Sequence, residues 1–193
     1  MDDSGNGHDG TATGAFTVVE GGGYSRQTGS GAGSHAMAFG RMIGTRIIGG
    51  ALVVNSFQNY DWGNAFAVSV WFNRGCVTQD CGGNPPVCDN NYSGIISNGY
   101  YDQASFEIRM GREGSCTAIG GGIITSAHPE TWDHMMTATL GEWHHVAMVY
   151  DGTSLHFYLD GLQSTSLSDT GDMVITPNDL VIGKAGAGMR IAK

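Results

Sequence analysis

The clearest pattern in the chain lies in residues 141–161, GEWHHVAMVYDGTSLHFYLDG, where two apolar, alternating runs follow each other. The first run extends from Trp143 to Tyr150 and the second covers residues 155–159, and an Asp-Gly pair follows each of them. Period-two alternation predicts strands, and Asp-Gly pairs tolerate the positive φ of tight turns. The segment therefore predicts an antiparallel hairpin within a larger sheet.

Residues 65–72 and 103–110 show the same period of two and predict two more strands with one apolar face each. In the first, Phe66, Val68, Val70 and Phe72 share a face opposite Ala67, Ser69 and Trp71. Shorter strands are predicted at residues 15–19, 94–97, 173–175 and 180–182, and residues 46–54 are predicted to form one or two strands with a glycine kink. Gly120, Gly121 and Gly122 interrupt another apolar run, which continues through Ile123 and Ile124. Turns or loops are predicted at residues 1–14, 21–35 and 59–64.

The number of short strands decides the fold class, because neither a convincing helix nor an internal repeat is visible. Roughly ten short strands joined by turns are typical of a two-layer β-protein. We therefore predict an all-β fold, a two-sheet antiparallel β-sandwich of the jelly-roll kind. Residues 1–193 are predicted to form one domain, with a cysteine-rich insertion loop at residues 73–93.

Composition supports this fold and narrows the choice of partners. The 32 glycines, 4 prolines and 14% charged residues are typical of tight turns between strands. The formal net charge of −9 leaves no basic stripe to neutralise a phosphate backbone, which argues against nucleic acid. No apolar run approaches the roughly 20 residues that span a bilayer, so no membrane insertion is expected.

Four cysteines indicate the compartment. Their even number, and the clustering of three of them in a loop-like segment, predict two disulfides and an oxidising environment; they are Cys76, Cys81, Cys88 and Cys116. A zinc site is the alternative. Asn91 begins a glycosylation sequon, Asn-Tyr-Ser, in the same region. The predicted disulfides indicate a secreted or cell-surface protein. Because no signal peptide is visible, we expect the chain to be processed from a longer precursor.

Four segments together resemble the laminin G-like branch of the concanavalin A-like jelly rolls. They are the D-x-S-G-N-G turn at residues 2–7, the strand FAVSVWF at 66–72, the hairpin at 141–161 and the L-V-I-G strand at 180–183. The resemblance implies an extracellular recognition or adhesion module that binds a glycan or an extracellular protein and has no enzymatic activity. A structural building block of a large extracellular assembly is the alternative.

The two ends of the chain depart from this family pattern. Family modules begin with an aromatic-rich strand before the D-x-S-G-N-G turn and end with an acidic-aromatic strand, and neither is present here. Those two strands pair with each other in the fold, so their loss would expose a sheet edge. Either the chain is a fragment, or a partner chain completes the sheet by strand exchange.

The opening turn also suggests a metal ion. Asp2, Ser4 and Asn6 offer oxygen atoms at alternate positions before Gly7, a spacing that can surround a calcium ion. The position that would carry a bidentate Glu in a helix–loop–helix site is Thr13, so further ligands would come from elsewhere in the fold. An Asx-rich turn without metal is the alternative.

Aromatic residues in predicted loops are the candidates for ligand binding, since sugars stack on aromatic faces beside polar groups. The candidates are Tyr60, Trp62, Tyr100, Tyr101, Trp132 and Asp133. The alternative is that each of these rings caps the core.

Catalysis is not expected. A retaining glycoside hydrolase needs two carboxyl groups about 5 Å apart, but Glu130 and Asp133 have the wrong spacing and Glu107 has no acidic partner on its strand face. His144 and His145 are adjacent on a strand, point to opposite faces and are expected to be packed residues. A degenerate glycoside hydrolase is the least favoured function.

Overall fold

The computed structural model describes the chain in segments. They are residues 4–14, 16–20, 35–39, 41–43, 46–48, 50–74, 93–99, 103–112, 115–129, 131–164, 166–183 and 190–191. Several predicted site residues lie outside these segments, namely Asp2, Cys76, Cys81, Cys88, Asn91, Tyr100, Tyr101 and Glu130.

Strands account for nearly all regular structure in the described segments. In chain order they are β1 (Thr11–Gly14), β2 (Phe16–Glu20), β3 (His35–Phe39), β4 (Arg41–Ile43), β5 (Arg46–Ile48), β6 (Gly50–Val54), β7 (Phe66–Asn73), β8 (Ser93–Ser97), β9 (Phe106–Arg112), β10 (Ser115–Ile123), β11 (Thr131–Thr137), β12 (Trp143–Tyr150), β13 (Ser154–Leu159), β14 (Leu162–Gln163), β15 (Leu167–Ser168), β16 (Leu180–Ile182) and β17 (Arg190–Ile191). A 3-10 turn, Asn55–Phe57, follows β6.

The strands form two main sheets. The larger has the order β1-β6-β16-β8-β9-β10-β11, with β17 also pairing with β8, and the smaller has the order β14-β13-β12-β7, with β15 on β13. All of these pairs are antiparallel except β17 with β8. Two separate hairpins, β2–β3 and β4–β5, lie outside the main sheets. The predicted two-sheet antiparallel sandwich is confirmed.

The hairpin predicted from residues 141–161 is present as β12 and β13, paired from Val146 with Leu159 to Tyr150 with Leu155. Asp160 and Gly161 both have positive φ, 52° and 81°, and connect β13 to β14. Two residues with positive φ between antiparallel strands form a type I′ turn, whose twist matches that of the strands. The Asp-Gly signal therefore predicted this turn correctly.

The core lies between the two sheets and uses the alternation seen in the sequence. On β12 and β13 every second residue is buried, and on β7 the Phe66 face is the more buried one. The fully buried side chains include Phe106, Ile108, Met110, Ile119 and Ile123 from the larger sheet and Val146, Met148, Leu155 and Phe157 from the smaller. These are the positions at which a polar substitution would cost most.

Glycines 120–122, which interrupt an apolar run of the sequence, all lie inside strand β10. A Cβ at Gly121 would lie 2.9 Å from the Glu107 carbonyl oxygen, 3.0 Å from Met148 Sδ and 3.1 Å from Phe157 Cε2. Glycine is therefore needed because side chains of the facing sheet approach the strand backbone there. The register of β10 shifts between Ile119 and Gly120 against β11 and between Ser115 and Ile119 against β9.

The loop predicted around residues 132–133 is a strand in the structure. Trp132 and Asp133 lie in β11, where their backbones pair with Gly122 and Gly121 of β10. The hydrogen bonds of this pairing compensate for the weak strand propensity of a segment that contains Asp and His. Strands β1, β3 and β4 were also not predicted.

The described segments contain no helix that combines the length and the apolar character required to cross a membrane.

Candidate ligand-binding surface

The loop between β6 and β7, residues 55–65, lies at one end of the sandwich and carries two of the predicted ligand residues, Tyr60 and Trp62. It begins with the 3-10 turn Asn55–Phe57, which places Phe57 three residues before Tyr60. The spacing brings three aromatic side chains into one short segment.

Tight turns fix the shape of this loop. Asn59 has a φ of 55°, a conformation that Asn tolerates better than most residues, and the Asp61 carboxylate accepts a hydrogen bond from the Gly63 amide at 2.9 Å. Two backbone hydrogen bonds then hold the loop against the segment before β16, from Asn59 N to Thr176 O and from Met173 N to Gly63 O. The loop is therefore held at two points against residues 173–176 and presents its side chains in a fixed arrangement.

The aromatic rings form a stack that extends from the core to the surface. His8 lies on Phe57 with ring centroids 4.4 Å apart, and Phe57 lies on Trp62 at 5.3 Å with the rings nearly parallel. Trp62 then meets Phe66 and Phe106 edge to face, at 5.4 and 5.2 Å. Since Phe106 is fully buried, the stack connects an exterior histidine to the centre of the sandwich.

Tyr60 is the exposed ring of this group. It contacts Trp62 at 4.7 Å and Phe57 at 5.0 Å, and 40% of its surface remains exposed. Trp62 is half-buried, and its indole nitrogen is buried with no hydrogen-bond partner among the described residues. The two candidates thus lie together but differ in role, because Tyr60 faces solvent and Trp62 supports it.

The loop that carries Tyr60 also contains polar side chains with fixed hydrogen bonds. Gln58 donates from Nε2 to Asp179 Oδ1 at 2.7 Å, and His8 Nδ1 lies 2.8 Å from the hydroxyl of Ser56. We define the end surface as His8, Phe57, Gln58, Tyr60, Asp61 and Asp179. Its aromatic ring beside fixed polar groups is the arrangement found in sites for small polar ligands.

Two members of the stack, His8 and Phe57, were not among the residues predicted from the sequence. His8 reaches the loop only through folding, because it is 48 residues from its hydrogen-bond partner Ser56. A signal was present for Phe57, since residues 57–66 contain four aromatic residues. Four aromatic residues within ten positions would have indicated that aromatic side chains cluster in this loop.

The other predicted ligand residues do not belong to the end surface. Trp132 and Asp133 lie in β11, which is separated from β6 by β16, β8, β9 and β10 in the larger sheet. Tyr100 and Tyr101 lie outside the described residues.

Two of the three predicted calcium ligands are described. Ser4 and Asn6 lie in an exposed turn in which the Asn6 amide donates to the Ser4 hydroxyl at 3.3 Å. Within the described part of the chain, no three His, Cys, Asp or Glu side chains are grouped so as to hold a metal ion. The calcium site stays a prediction, as do the two disulfides among Cys76, Cys81, Cys88 and Cys116.

Two buried carboxylates lie elsewhere in the sandwich. Glu107 on β9 is fully buried and lies 3.6 Å from the guanidinium of Arg109. Asp169 is also buried, and its Oδ1 accepts from the Thr125 hydroxyl at 2.9 Å and lies 2.7 Å from His128 Nδ1. Both carboxylates are held by neighbouring side chains inside the protein.

The turn at Asp160 holds one of the two histidines of β12. His144 is buried, with Nδ1 2.7 Å from Asp160 Oδ2 and Nε2 3.1 Å from the Thr139 carbonyl oxygen. Partial burial acts to raise the pKa of Asp160, but the hydrogen bonds from His144 and the His145 amide outweigh it and lower that pKa. His144 is thus the packed, hydrogen-bonded residue that was predicted, while His145 lies on the opposite face beside Trp71, with ring centroids 5.0 Å apart.

The turn at Asp151 is held locally. Hydrogen bonds from the Thr153 hydroxyl and from the amides of Thr153 and Ser154 hold the pKa of Asp151 well below its usual range. Both aspartates are therefore explained by turn structure, as predicted.

Comparison with solved structures identifies similar folds. Domain 4 of AbnA, an extracellular GH43 arabinanase from Geobacillus stearothermophilus solved with arabinotriose, superposes with a TM-score of 0.60 and 13% identity, covering 99% of this chain and 81% of that one. A carbohydrate esterase of Shiga toxin-encoding bacteriophage phi24B gives 0.53 and 12%, covering 90% and 81%.

The receptor-binding domain of botulinum neurotoxin type G is a third structural neighbour, with a TM-score of 0.54 and 12% identity. It is a longer chain, since the alignment covers 91% of this chain and 38% of that one. At these identities the likeness concerns the fold alone. No curated protein matches the sequence significantly.

The sequence itself matches a laminin G family profile, that of the concanavalin A-like lectin/glucanases superfamily, over residues 48–190. This match covers most of the chain and includes the β12–β13 hairpin that carried the resemblance. The chain belongs to the concanavalin A-like lectin/glucanases superfamily.

Proposed function

We propose that this chain is a non-catalytic extracellular recognition module that binds a carbohydrate at its end surface. The observation that carries the proposal is the exposed ring of Tyr60, which is supported by an aromatic stack reaching the core. A ring held in place loses little conformational entropy on binding, so more of the stacking energy appears as affinity.

The polar groups beside Tyr60 complete such a site. Sugars present apolar C–H faces and hydroxyl edges. Gln58 and Asp61 flank Tyr60 within the loop, and Asp179 is hydrogen-bonded to Gln58, so the end surface offers hydrogen-bonding oxygens as well as the ring. The laminin G-like fold is compatible with this function, since the AbnA domain was solved with arabinotriose and the neurotoxin domain binds a receptor.

The two buried carboxylates, Glu107 and Asp169, are not candidates for catalysis. Hydrolysis of a glycosidic bond requires two carboxyl groups on either side of an accessible substrate. Glu107 is fully buried against Arg109, and Asp169 accepts hydrogen bonds from Thr125 and Thr170 inside the protein. Neither carboxylate is placed to reach a sugar in solution.

A glycan array and solid-phase polysaccharide binding would test the proposal. We expect binding to at least one saccharide, and we expect Tyr60→Ala to weaken it by tenfold or more, about 1.4 kcal/mol. The matched control is Trp71→Ala, since Trp71 is exposed to a similar degree, 43%, but lies on the outer face of the smaller sheet.

The pattern of results separates the possible surfaces. Loss of binding with Tyr60→Ala alone supports the end surface, whereas loss with Trp71→Ala alone would move the site to the sheet. A wild-type chain that binds no saccharide would overturn the proposal. Repeating the measurement with a chelator tests whether calcium at the predicted site of Asp2, Ser4 and Asn6 assists binding.

A second candidate function is assembly into a larger extracellular structure. The observation in its favour is β7, which ends the strand order of the smaller sheet in the described residues and carries the exposed Trp71. Size-exclusion chromatography of the chain and of Trp71→Ala tests it, because an assembly surface predicts an oligomer that the substitution disrupts. A wild-type monomer at high concentration argues against this function.

A further inference from the structure

We propose that the end surface selects uncharged, hydroxyl-rich saccharides and rejects acidic ones such as uronates and sulfated sugars. The inference rests on the proposed function and adds the class of ligand. It follows from the hydrogen-bonding character of the groups around Tyr60 and from the distribution of basic residues along the chain.

The fixed polar atoms of the end surface are mainly hydrogen-bond acceptors. Gln58 donates an N–H of its side-chain amide to Asp179 Oδ1. The carbonyl oxygen of the Gln58 side chain can therefore accept a hydrogen bond from a ligand. Asp61 uses Oδ1 to accept from the Gly63 amide, and its Oδ2 is left for a ligand. Carboxylate and carbonyl oxygens bind hydroxyl donors but offer nothing to a carboxylate or sulfate.

The segments that build the end surface contain no permanent positive charge. All nine Lys and Arg residues lie in other parts of the sequence, since none occurs in residues 1–25, 47–73 or 113–183. These ranges include His8, the whole loop 55–65 and the segment before β16 that carries Asp179. Proteins that bind acidic sugars or phosphate typically do so with Arg or Lys, which form charge-assisted pairs with the anion.

Negative charge on the same surface adds repulsion. Asp61 and Asp179 contribute two carboxylates to the end surface, and the chain as a whole has a formal charge of −9. An acidic sugar would approach these carboxylates and would have to lose water without gaining a positively charged partner. A neutral sugar of the same shape avoids both costs.

Matched pairs of glycans that differ only in charge provide the test. One suitable pair is oligogalacturonate and its fully methyl-esterified form. A second pair is chondroitin sulfate and unsulfated chondroitin whose carboxyl groups have been converted to methyl esters. We expect the uncharged member of a recognised pair to bind at least about tenfold more tightly, which corresponds to about 1.4 kcal/mol. Raising the salt concentration should narrow the difference, because repulsion between exposed charges is screened.

Substitution of the two carboxylates tests whether they cause the selection. Asp61→Asn with Asp179→Asn keeps an Oδ1 acceptor for Gly63 and Gln58 while removing both charges, so the ratio of neutral to acidic binding should fall towards one. The matched control is Glu142→Gln, an exposed carboxylate next to the start of β12 at the opposite end of the sandwich, which should leave the ratio at the wild-type value. Asp61→Asn alone gives the same test if the double variant does not fold.

The outcomes distinguish this inference from the proposed function. Equal or tighter binding of the acidic members overturns the inference and leaves carbohydrate binding intact, and so does a ratio that the double variant does not change. Neutral selectivity that depends on Trp71 instead of Tyr60 assigns it to another surface and overturns the inference. If no saccharide in a broad array binds the wild-type chain, the proposed function fails and the inference fails with it.

Discussion

The two Asp-Gly turns of the β12–β13–β14 region share a dipeptide but are stabilised in different ways. Asp151 accepts through Oδ1 from Thr153 and Ser154 within its own turn, and its Oδ2 lies 3.3 Å from Nε2 of His156, five residues further along. Asp160 directs its carboxylate backwards, to His144 and the His145 amide on the neighbouring strand. The Asp-Gly dipeptide is therefore stabilised mainly by local hydrogen bonds at residues 151–152 and by contacts with a neighbouring strand at residues 160–161.

The glycines of the two turns differ as well. Gly152 and Gly161 both have positive φ, 90° and 81°. A Cβ on Gly152 would lie 2.9 Å from the Asn64 carbonyl oxygen, whereas a Cβ on Gly161 would have no atom within 4 Å. The first turn consequently packs against the loop that carries Tyr60, and the second stands in open space.

The largest effect is expected from Asp160→Ala, which leaves the buried His144 Nδ1 and the His145 amide without their acceptor. An unsatisfied buried donor costs about 1–3 kcal/mol, and alanine at a φ of 52° adds backbone strain, so we expect a total loss of about 3 kcal/mol. Urea unfolding measures it. Asp160→Asn is the control, because it keeps one acceptor and tolerates the turn; equal losses for the two variants would contradict this account.

Gly152→Ala is expected to be next, at about 2 kcal/mol, since it combines positive φ with a clash against a backbone oxygen that cannot rotate away. It should also weaken saccharide binding, because the Asn64 backbone belongs to the loop of the end surface. Thermal unfolding and glycan affinity are measured together. A destabilised variant with unchanged affinity would show that the loop keeps its shape independently of the turn.

Gly161→Ala is expected to cost only about 1 kcal/mol, the conformational term alone, and to leave saccharide affinity unchanged. Gly161→Asn should cost less, because Asn adopts positive φ more readily. A loss as large as that of Gly152→Ala would mean that packing does not distinguish the two turns.

The smallest effect is a pH dependence that follows from Asp160. Its pKa is lowered in the folded chain, so its stabilisation is complete above the unfolded value of about 4 and is lost as the pH falls through the lower folded value. The stability difference between wild type and Asp160→Asn should therefore shrink below about pH 4. Urea midpoints across this range test it, and a constant difference down to about pH 2 would refute the hydrogen-bond explanation.

Local pattern predicted the parts of the fold in which each strand has one buried and one exposed face. The β12–β13 hairpin and β7 are of this kind, and their alternation matches their burial. Strand β10 is different, because Gly121 is required by the approach of Met148 and Phe157 from the other sheet. Those partners come 27 and 36 residues later in the chain. The local sequence therefore shows only an interrupted apolar run, and the reason for the glycine appears when the two sheets pack.

The candidate surface was predictable to a similar extent. Tyr60 and Trp62 could be chosen because they lie in a turn-rich segment with aromatic and polar residues side by side. Their different roles could not, since Trp62 supports Tyr60 only through contacts with Phe66 and Phe106. Trp132 shows the converse, because a polar local context suggested a loop where pairing with β10 forms a strand.

The position of β16 has a consequence for how the protein is made. This three-residue strand lies between β6 and β8, pairing through Val181 with Val53 on one side and Ser97 on the other. Until residue 182 has been synthesised, the larger sheet exists only as two separate parts, β1 with β6 and β8 with β9–β11. Closure by contacts so distant in sequence slows folding, so the nascent chain carries unpaired strand edges for most of its synthesis.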